Sequence, residues 1–189
     1  MKTRHFFLIS LILFQLTAQS VCARTLIGKV VAVTDGDTIK VLVNKKEVKV
    51  RLYGIDTPEK KQAFGTQAKK YTSNKCFGKV VTVKEQGKDR YKRTLGYVIL
   101  PGKKNLNELL VRDGMAWWYQ QYAPNNKRLK QLENDARKAK RGLWKDKAPV
   151  PPWEFRKRQR NRQSFMPLLN NAPCRDGATT IAVMIAYSA

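Results

Sequence analysis

Histidine and cysteine are scarce in this 189-residue chain, which has one histidine, His5, and three cysteines. His5 lies in an N-terminal segment that we expect to be removed. The remaining chain then offers no imidazole as general base, nucleophile or metal ligand. This composition excludes Ser-His-Asp hydrolases, histidine-based nucleases and zinc sites built from cysteine and histidine. Any catalysis must therefore use carboxylates, arginine, lysine or tyrosine.

The N-terminal apolar run is too short to span a bilayer. Lys2 and Arg4 are followed by apolar residues from Phe6 to Leu16 and then by Val21-Cys22-Ala23. This pattern predicts a secretory signal peptide over residues 1–23, cleaved after Ala23, and export to the periplasm or the medium. A retained membrane anchor is the alternative, and the bulky Val21 disfavours a lipoprotein at Cys22.

Acidic residues are few, with 14 Asp and Glu against 38 Lys and Arg and a formal net charge of +24 at pH 7. Such a charge attracts polyanions, and the affinity falls as salt rises because binding releases counterions from nucleic acid. Nucleic acid is favoured over an anionic membrane surface, since the basic residues are spread through predicted strands, loops and helices. We expect no stable membrane association after signal cleavage, and a monomer.

Alternating apolar and polar residues dominate the part of the chain that follows the signal. From Leu26 to Ile55 this alternation predicts three antiparallel strands with turns at residues 34–37 and 44–46. Further patterns predict strands at 80–85 and 93–99, and helices at 63–76, 105–112 and 127–140. We therefore expect an α+β, β-rich fold, an OB-type five-stranded barrel with three helices, over residues 24–147. Periodicity alone also permits another small α+β fold.

Residues 148–189 are expected to form a proline-rich linker, a basic arm and a C-terminal tail. Prolines at 149, 151 and 152 mark the edge of the domain, and five Arg and Lys residues follow between Arg156 and Arg162. The arm is compatible with a solvated flexible segment and with a non-specific phosphate tether. Cys76 and Cys174 either form a disulfide or remain free thiols.

Two short motifs carry most of the chemical information. Asp35-Gly36-Asp37-Thr38 alone is an ordinary hairpin signal, and Asp56-Thr57-Pro58-Glu59 alone is an ordinary loop or helix start. If the first strand pair turns at Asp35-Gly36 and the third strand ends near Ile55, the Asp37 and Asp56 carboxylates converge. Two carboxylates and a backbone carbonyl form a partial oxygen shell for a hard cation, with places left for water and phosphate.

Together with Asp89-Arg90-Tyr91-Lys92-Arg93, these motifs resemble the thermonuclease (staphylococcal nuclease-like) family from about Leu26 to Trp144. The resemblance implies a five-stranded OB-type barrel with three helices. It also implies a calcium-dependent endonuclease that hydrolyses phosphodiester bonds of DNA and RNA, favouring single-stranded or frayed substrate. Cleavage of the 5′-O–P bond would leave 3′-phosphate ends.

The resemblance also implies a metal site. Asp37 and Asp56 would bind calcium through their carboxylates and Thr57 through its backbone carbonyl. Asp35 would not bind the metal directly but would support a bound water molecule. Calcium is the one cofactor expected.

The resemblance further assigns residues that act on the substrate. Glu59 would be the general base for the attacking water, and Arg51 and Arg93 would hold the scissile phosphate. Independently, planar guanidinium groups suit this task because they stay charged and meet phosphate oxygens in pairs. Tyr91 and Tyr122 would stack on bases.

Two other functions compete with a nuclease. A non-catalytic, basic OB-type nucleic-acid-binding module would be expected to lack at least one of the site residues, and none is lacking. A membrane-active or DNA-condensing protein that works by charge alone would not need a calcium-competent carboxylate group. The charge-only protein would also show an activity that is indifferent to chelators.

Overall fold

The computed structural model describes residues 24–170. The predicted signal peptide, Cys174 and the tail after residue 170 lie outside the described residues. No helix within 24–170 is both long and apolar enough to cross a membrane.

The β-strands within the described residues are β1 Thr25–Asp35, β2 Thr38–Val43, β3 Lys46–Leu52, β4 Ile55–Asp56, β5 Val80–Lys88, β6 Thr94–Ile99 and β7 Trp117–Trp118. Five of them close into a barrel in the order β1-β2-β3-β6-β5, with β1 pairing β5. Strands β3 and β6 run parallel, and the other barrel neighbours are antiparallel. The two short strands β4 and β7 pair outside the barrel. The expected OB-type barrel is confirmed.

Four α-helices accompany the barrel in the part of the chain that the structure describes, one more than predicted. The helices are α1 Gly65–Cys76, α2 Leu106–Arg112, α3 Lys127–Lys138 and α4 Pro152–Asn170. Asn105 caps α2 as predicted, its side chain accepting the Asn107 N–H at 3.0 Å. The additional helix, α4, begins in the proline-rich segment, where Pro152 occupies a first-turn position that a proline tolerates.

The barrel interior supplies most of the hydrophobic core. Alternate residues of the strands point inward, which is why period-2 alternation located them. Fully buried members include Val30, Ile39, Val50, Val83 and Val98. Leucines of α2 and α3 close one side of this core. A second cluster joins Trp117 and Trp144, and Trp153 of α4 packs against it.

Cys76 ends α1 in a fully buried position. Its thiol donates to the Thr72 carbonyl at 3.1 Å, and burial raises its pKa to about 12. Because Cys174 lies outside the described residues, the predicted alternatives of a disulfide and two free thiols both stand.

Buried Asn107 of α2 joins the helix to the barrel next to the strand that ends at Leu52. Its carboxamide oxygen accepts the Val98 N–H at 3.1 Å. Its NH₂ group donates to the Tyr53 carbonyl at 2.9 Å and the Gly96 carbonyl at 3.2 Å. One fully buried side chain thus hydrogen-bonds three backbone groups, of which the Gly96 carbonyl also accepts the Tyr53 N–H.

Asn107→Ala should lower the free energy of unfolding by about 2–3 kcal/mol, because it leaves buried backbone groups without partners. Urea denaturation at neutral pH measures the change. Asn125→Ala is the matched control: this asparagine is exposed, so the expected change is within about 0.5 kcal/mol. Equal effects of the two substitutions would contradict the bridging role of Asn107.

Candidate active site

An open cleft of about 760 Å³ lies where the β1–β2 turn, the end of β3 and the start of α4 meet. The structure brings the predicted site residues together here. Asp56 and Thr57 lie buried beside the cleft, and the others line it, namely Asp35, Asp37, Arg51, Glu59, Tyr91, Arg93 and Tyr122. Residues that are up to 87 positions apart in the chain therefore share one surface.

At the floor of the cleft, Arg51 bridges two buried carboxylates. Its Nη1 pairs with Asp37 Oδ1, and its Nη2 lies 2.6 Å from Asp56 Oδ1. Asp37 is 3% exposed and Asp56 is 1% exposed. Since one guanidinium reaches an oxygen of each, the Asp37 and Asp56 carboxylates lie side by side, each on a different nitrogen of Arg51.

Asp37 is fixed from its other side. Its Oδ2 accepts both the backbone N–H and the hydroxyl of Thr57 at 2.9 Å, and its Oδ1 accepts the Thr38 hydroxyl at 3.1 Å. A side chain at Gly36 would place its Cβ 2.6 Å from the Thr57 hydroxyl oxygen. Only glycine at this turn leaves room for Thr57 to reach Asp37, which explains the Asp35-Gly36-Asp37 pattern.

The donor set fits a hard divalent cation. Paired carboxylates in a buried position need positive charge, and their oxygens are the ligands that calcium prefers. Residues 24–170 contain no group of three or more His, Cys, Asp or Glu side chains placed to hold a metal. The protein therefore offers a partial shell from Asp37 and Asp56, and backbone carbonyls, water and substrate would have to complete it.

Glu59 stands at the rim of the same cleft, on the loop that leads to α1. Its side chain is 32% exposed, and its backbone N–H donates to Gln62 Oε1 at 3.1 Å. The backbone at Gly65 passes so close to Glu59 that a Cβ at Gly65 would collide with the Glu59 carbonyl. Glu59 is thus held by local geometry while its carboxylate faces the cleft.

Arg93 approaches the cleft from the β5–β6 connection, where Asp89 organises it. Asp89 Oδ1 accepts the backbone N–H groups of Tyr91 and Arg93 at 2.9 Å, and its Oδ2 lies 2.6 Å from Arg93 Nε. Burial alone would raise the pKa of Asp89, but the hydrogen bonds and charge of Arg93 lower it below its ordinary value. Asp89 therefore holds the phosphate-binding candidate Arg93 in place.

Aromatic rings line the cleft beside these charges. Tyr91 is exposed, with the Arg90 and Arg93 guanidinium groups 4.8 and 5.5 Å from its ring centre. Tyr122 is also exposed, and its ring lies 4.7 Å from that of Tyr119. Tyr119 in turn stacks on Trp153 at 5.2 Å with the rings 2° from parallel. The sequence analysis predicted Tyr91 and Tyr122 and missed the contribution of Trp153.

Arg156 also lines the cleft, although the sequence pattern indicates only a basic arm over residues 156–162. Its Nη2 lies 2.7 Å from Asp56 Oδ2, and its Nη1 lies 2.7 Å from Glu59 Oε1. A helix starting at Pro152 would place Trp153, Arg156 and Arg160 on one face, and this spacing is the signal that could have indicated the contact.

Comparison with known families adds an independent result. Residues 49–146 match the model of the family described as staphylococcal nuclease homologue. The matched segment includes Arg51, Asp56, Glu59 and Arg93. Asp37 lies before it and Arg156 lies after it.

Individual relatives agree with the family match. An uncharacterized endonuclease of Escherichia coli is 46% identical over 80% of this chain and 97% of its own length. A micrococcal nuclease of Shigella flexneri is 41% identical over 71% of this chain and 82% of its own. A thermonuclease of Staphylococcus hyicus is 39% identical over 61% of this chain and 74% of its own.

Asp89→Asn should destabilise the fold by about 1 kcal/mol at pH 7, because it removes the charge that faces Arg93. The pKa of Asp89 is lowered in the folded state. Its stabilisation is therefore complete above the unfolded-state pKa, and it is lost as the pH falls through the lower folded-state pKa. Urea unfolding of both proteins from pH 7 into the acid range measures this. A stability difference that persists unchanged at the acid end would contradict the assignment.

Proposed function

The chain belongs to the staphylococcal nuclease homologue family, and on that premise we propose that it is a calcium-dependent endonuclease that hydrolyses phosphodiester bonds of DNA and RNA. The single observation that carries the proposal is that the buried carboxylates of Asp37 and Asp56 lie side by side, both in contact with the Arg51 guanidinium. Glu59 and Arg93 line the cleft beside this pair. A partial cation shell, a carboxylate base and two guanidinium groups are the components that metal-assisted phosphodiester hydrolysis requires.

Each residue has a distinct role in this proposal. Asp37, Asp56 and the Thr57 carbonyl would hold calcium, with Asp35 supporting a bound water. Calcium supplies electrostatic stabilisation of the phosphate and helps to orient water. The remaining roles belong to side chains that line the cleft.

Glu59 accepts a proton from the attacking water, whose oxygen forms the new bond to phosphorus. Arg51 and Arg93 donate to the non-bridging oxygens, where negative charge accumulates in the transition state. The bond from phosphorus to the 5′-oxygen breaks, and that oxygen leaves with a proton from solvent. The products are a 3′-phosphate end and a 5′-hydroxyl end.

The exposed rings favour substrates whose bases are unpaired. Tyr91 and Tyr122 are each more than half exposed, so a base can reach their faces. Stacking on an aromatic ring tolerates any base and contributes about 1–3 kcal/mol per base. Phosphate contacts and stacking do not require a particular sugar, which is why RNA is included with DNA.

The net charge of +24 supports the choice of substrate, because it concentrates polyanions at the surface. We further propose that the enzyme is exported and acts as a monomer in the periplasm or the medium. The N-terminal pattern of basic residues, a short apolar stretch and Ala23 supports export.

Glu59→Gln should lower kcat by about 10²–10⁴-fold, because it removes the proton acceptor and keeps the side-chain volume. Arg51→Lys should lower kcat by about 10²–10³-fold, because a lysine cannot donate in a planar pair. Cleavage of denatured DNA, duplex DNA and RNA is measured with calcium, with magnesium and with a calcium chelator, and the product ends are tested for 3′-phosphate.

Glu47→Gln is the matched control for charge, since Glu47 is exposed and pairs with Lys40 on the barrel surface. Its activity should equal that of the wild type. Binding of DNA without cleavage in any metal would reject the nuclease and indicate a non-catalytic nucleic-acid-binding module. Full cleavage in the chelator would reject the calcium requirement alone.

Expression of the full chain in a bacterial host tests export. The proposal predicts mature protein in the periplasm or the medium with Arg24 as its N-terminal residue. N-terminal sequencing of each cell fraction measures this. Recovery of the uncleaved chain from the membrane fraction would support a retained anchor instead.

A further inference from the structure

Arg156 joins the candidate metal site to the candidate general base. Its Nη2 lies 2.7 Å and its Nη1 3.4 Å from the two oxygens of Asp56, and Nη1 lies 2.7 Å from Glu59 Oε1. No other residue among those that the structure describes is paired with both carboxylates. The contacts join residues 97 and 100 positions apart and connect β4 and the loop after it to α4.

The two oxygens of Asp56 have different main partners. Oδ1 is bound by Arg51, whereas Oδ2 on the outer side is bound most closely by Arg156. The contact of Arg156 with Oδ1, at 3.4 Å, is much longer than its 2.7 Å contact with Oδ2. Arg156 is therefore placed to orient the Asp56 carboxylate mainly through its outer oxygen.

Glu59 is held in the same way. Its contact with Arg156 uses Oε1, so Oε2 can take a proton from water. A carboxylate that is one-third exposed on a loop would otherwise rotate among several rotamers. The guanidinium fork fixes the distance and direction between Glu59 and Asp56, because its donors lie in one rigid plane.

Ring contacts and a hydrogen bond hold the start of α4 beside the cleft, where Arg156 lies. Trp153 stacks on Tyr119 and meets the edge of Trp117 at 5.8 Å. Just before the helix, the Val150 carbonyl accepts Gln62 Nε2 at 2.5 Å. Gln62 also binds the Glu59 backbone, so the loop and the helix start are tied together. Arg156 follows Trp153 by one helical turn on the same face.

We infer that Arg156 is a positioning residue of the active site, which aligns the general base Glu59 with the metal ligand Asp56. This inference rests on the proposed function. It assigns the start of α4 to the catalytic machinery, although that helix lies beyond the segment that matches the family model. Partners that orient metal-ligating carboxylates typically affect metal affinity or activity by about 10–100-fold when they are removed.

The test compares Arg156→Ala and Arg156→Lys with the wild type and with Arg158→Ala. Arg158 is the matched control, since it lies on the same helix, is largely exposed and pairs only loosely with Glu154 at 3.8 Å. Steady-state cleavage of single-stranded DNA at saturating calcium gives kcat and KM. Calcium affinity is measured by calorimetry, and Tm in chelator is measured without any substrate.

Arg156→Ala should lower kcat by about 10–100-fold with KM changed less than threefold, and should weaken calcium binding. Arg156→Lys should recover part of kcat, and it keeps the test valid if the alanine variant does not fold. The metal-free Tm of Arg156→Ala should fall by several degrees, because Asp56 and Glu59 lose a partner. Arg158→Ala should match the wild type in all three measurements.

Three results would overturn the inference while leaving the nuclease intact. An unchanged kcat with a lower Tm would show a purely structural contact. Tighter calcium binding with higher activity at low calcium would show that Arg156 blocks the site. An equal loss in Arg158→Ala would show a general effect of charge on substrate binding. By contrast, a wild-type protein that cuts no nucleic acid would overturn the proposed function itself.

Discussion

Two carboxylates buried side by side are the constraint on which the rest of the site depends. Asp37 and Asp56 are almost fully shielded from water, and like charges so close together repel each other strongly. Such a pair persists only where positive charge and hydrogen bonds compensate it. Arg51 meets the inner oxygens, Arg156 meets the outer one, and Thr57 fixes the back of Asp37. The acidic pair and its basic surroundings form one electrostatic unit.

Backbone pairing holds both carboxylates of this unit in place. Asp37 immediately precedes β2, and its carbonyl accepts the Leu52 N–H at 2.9 Å, whereas Asp56 lies on β4, which pairs with β7 outside the barrel. Positions with no room for a side chain, such as Gly36 and Gly65, allow the turn and the Glu59 loop to approach closely. Asn107 ties α2 to this part of the barrel through three backbone hydrogen bonds. Much of the geometry of the candidate site is therefore set by backbone pairing, which positions side chains more precisely than loops do.

The excess of basic residues has two separate uses in this molecule. Most arginines and lysines are exposed and create a field that draws nucleic acid towards the surface. Arg51, Arg93 and Arg156 instead lie in or beside the cleft, each held by a carboxylate. Fixed orientation distinguishes these three from the surface charge, because a preorganised guanidinium acts on a phosphate or a carboxylate without first being ordered.

The sequence by itself determined the barrel strands, three helices and most of the site, because these depend on local patterns. Alternation located the strands, Asn105 marked the start of α2, and the motifs around Asp37, Asp56 and Glu59 identified the cleft. Helix α4 was not predicted, since its basic residues cluster between Arg156 and Arg162 and it has no clear apolar stripe. Only the tertiary structure decided that Arg156 meets Asp56 and Glu59, because that contact joins residues about a hundred positions apart. Local periodicity encodes which face of an element is buried, but it does not encode which distant charge an exposed arginine will meet.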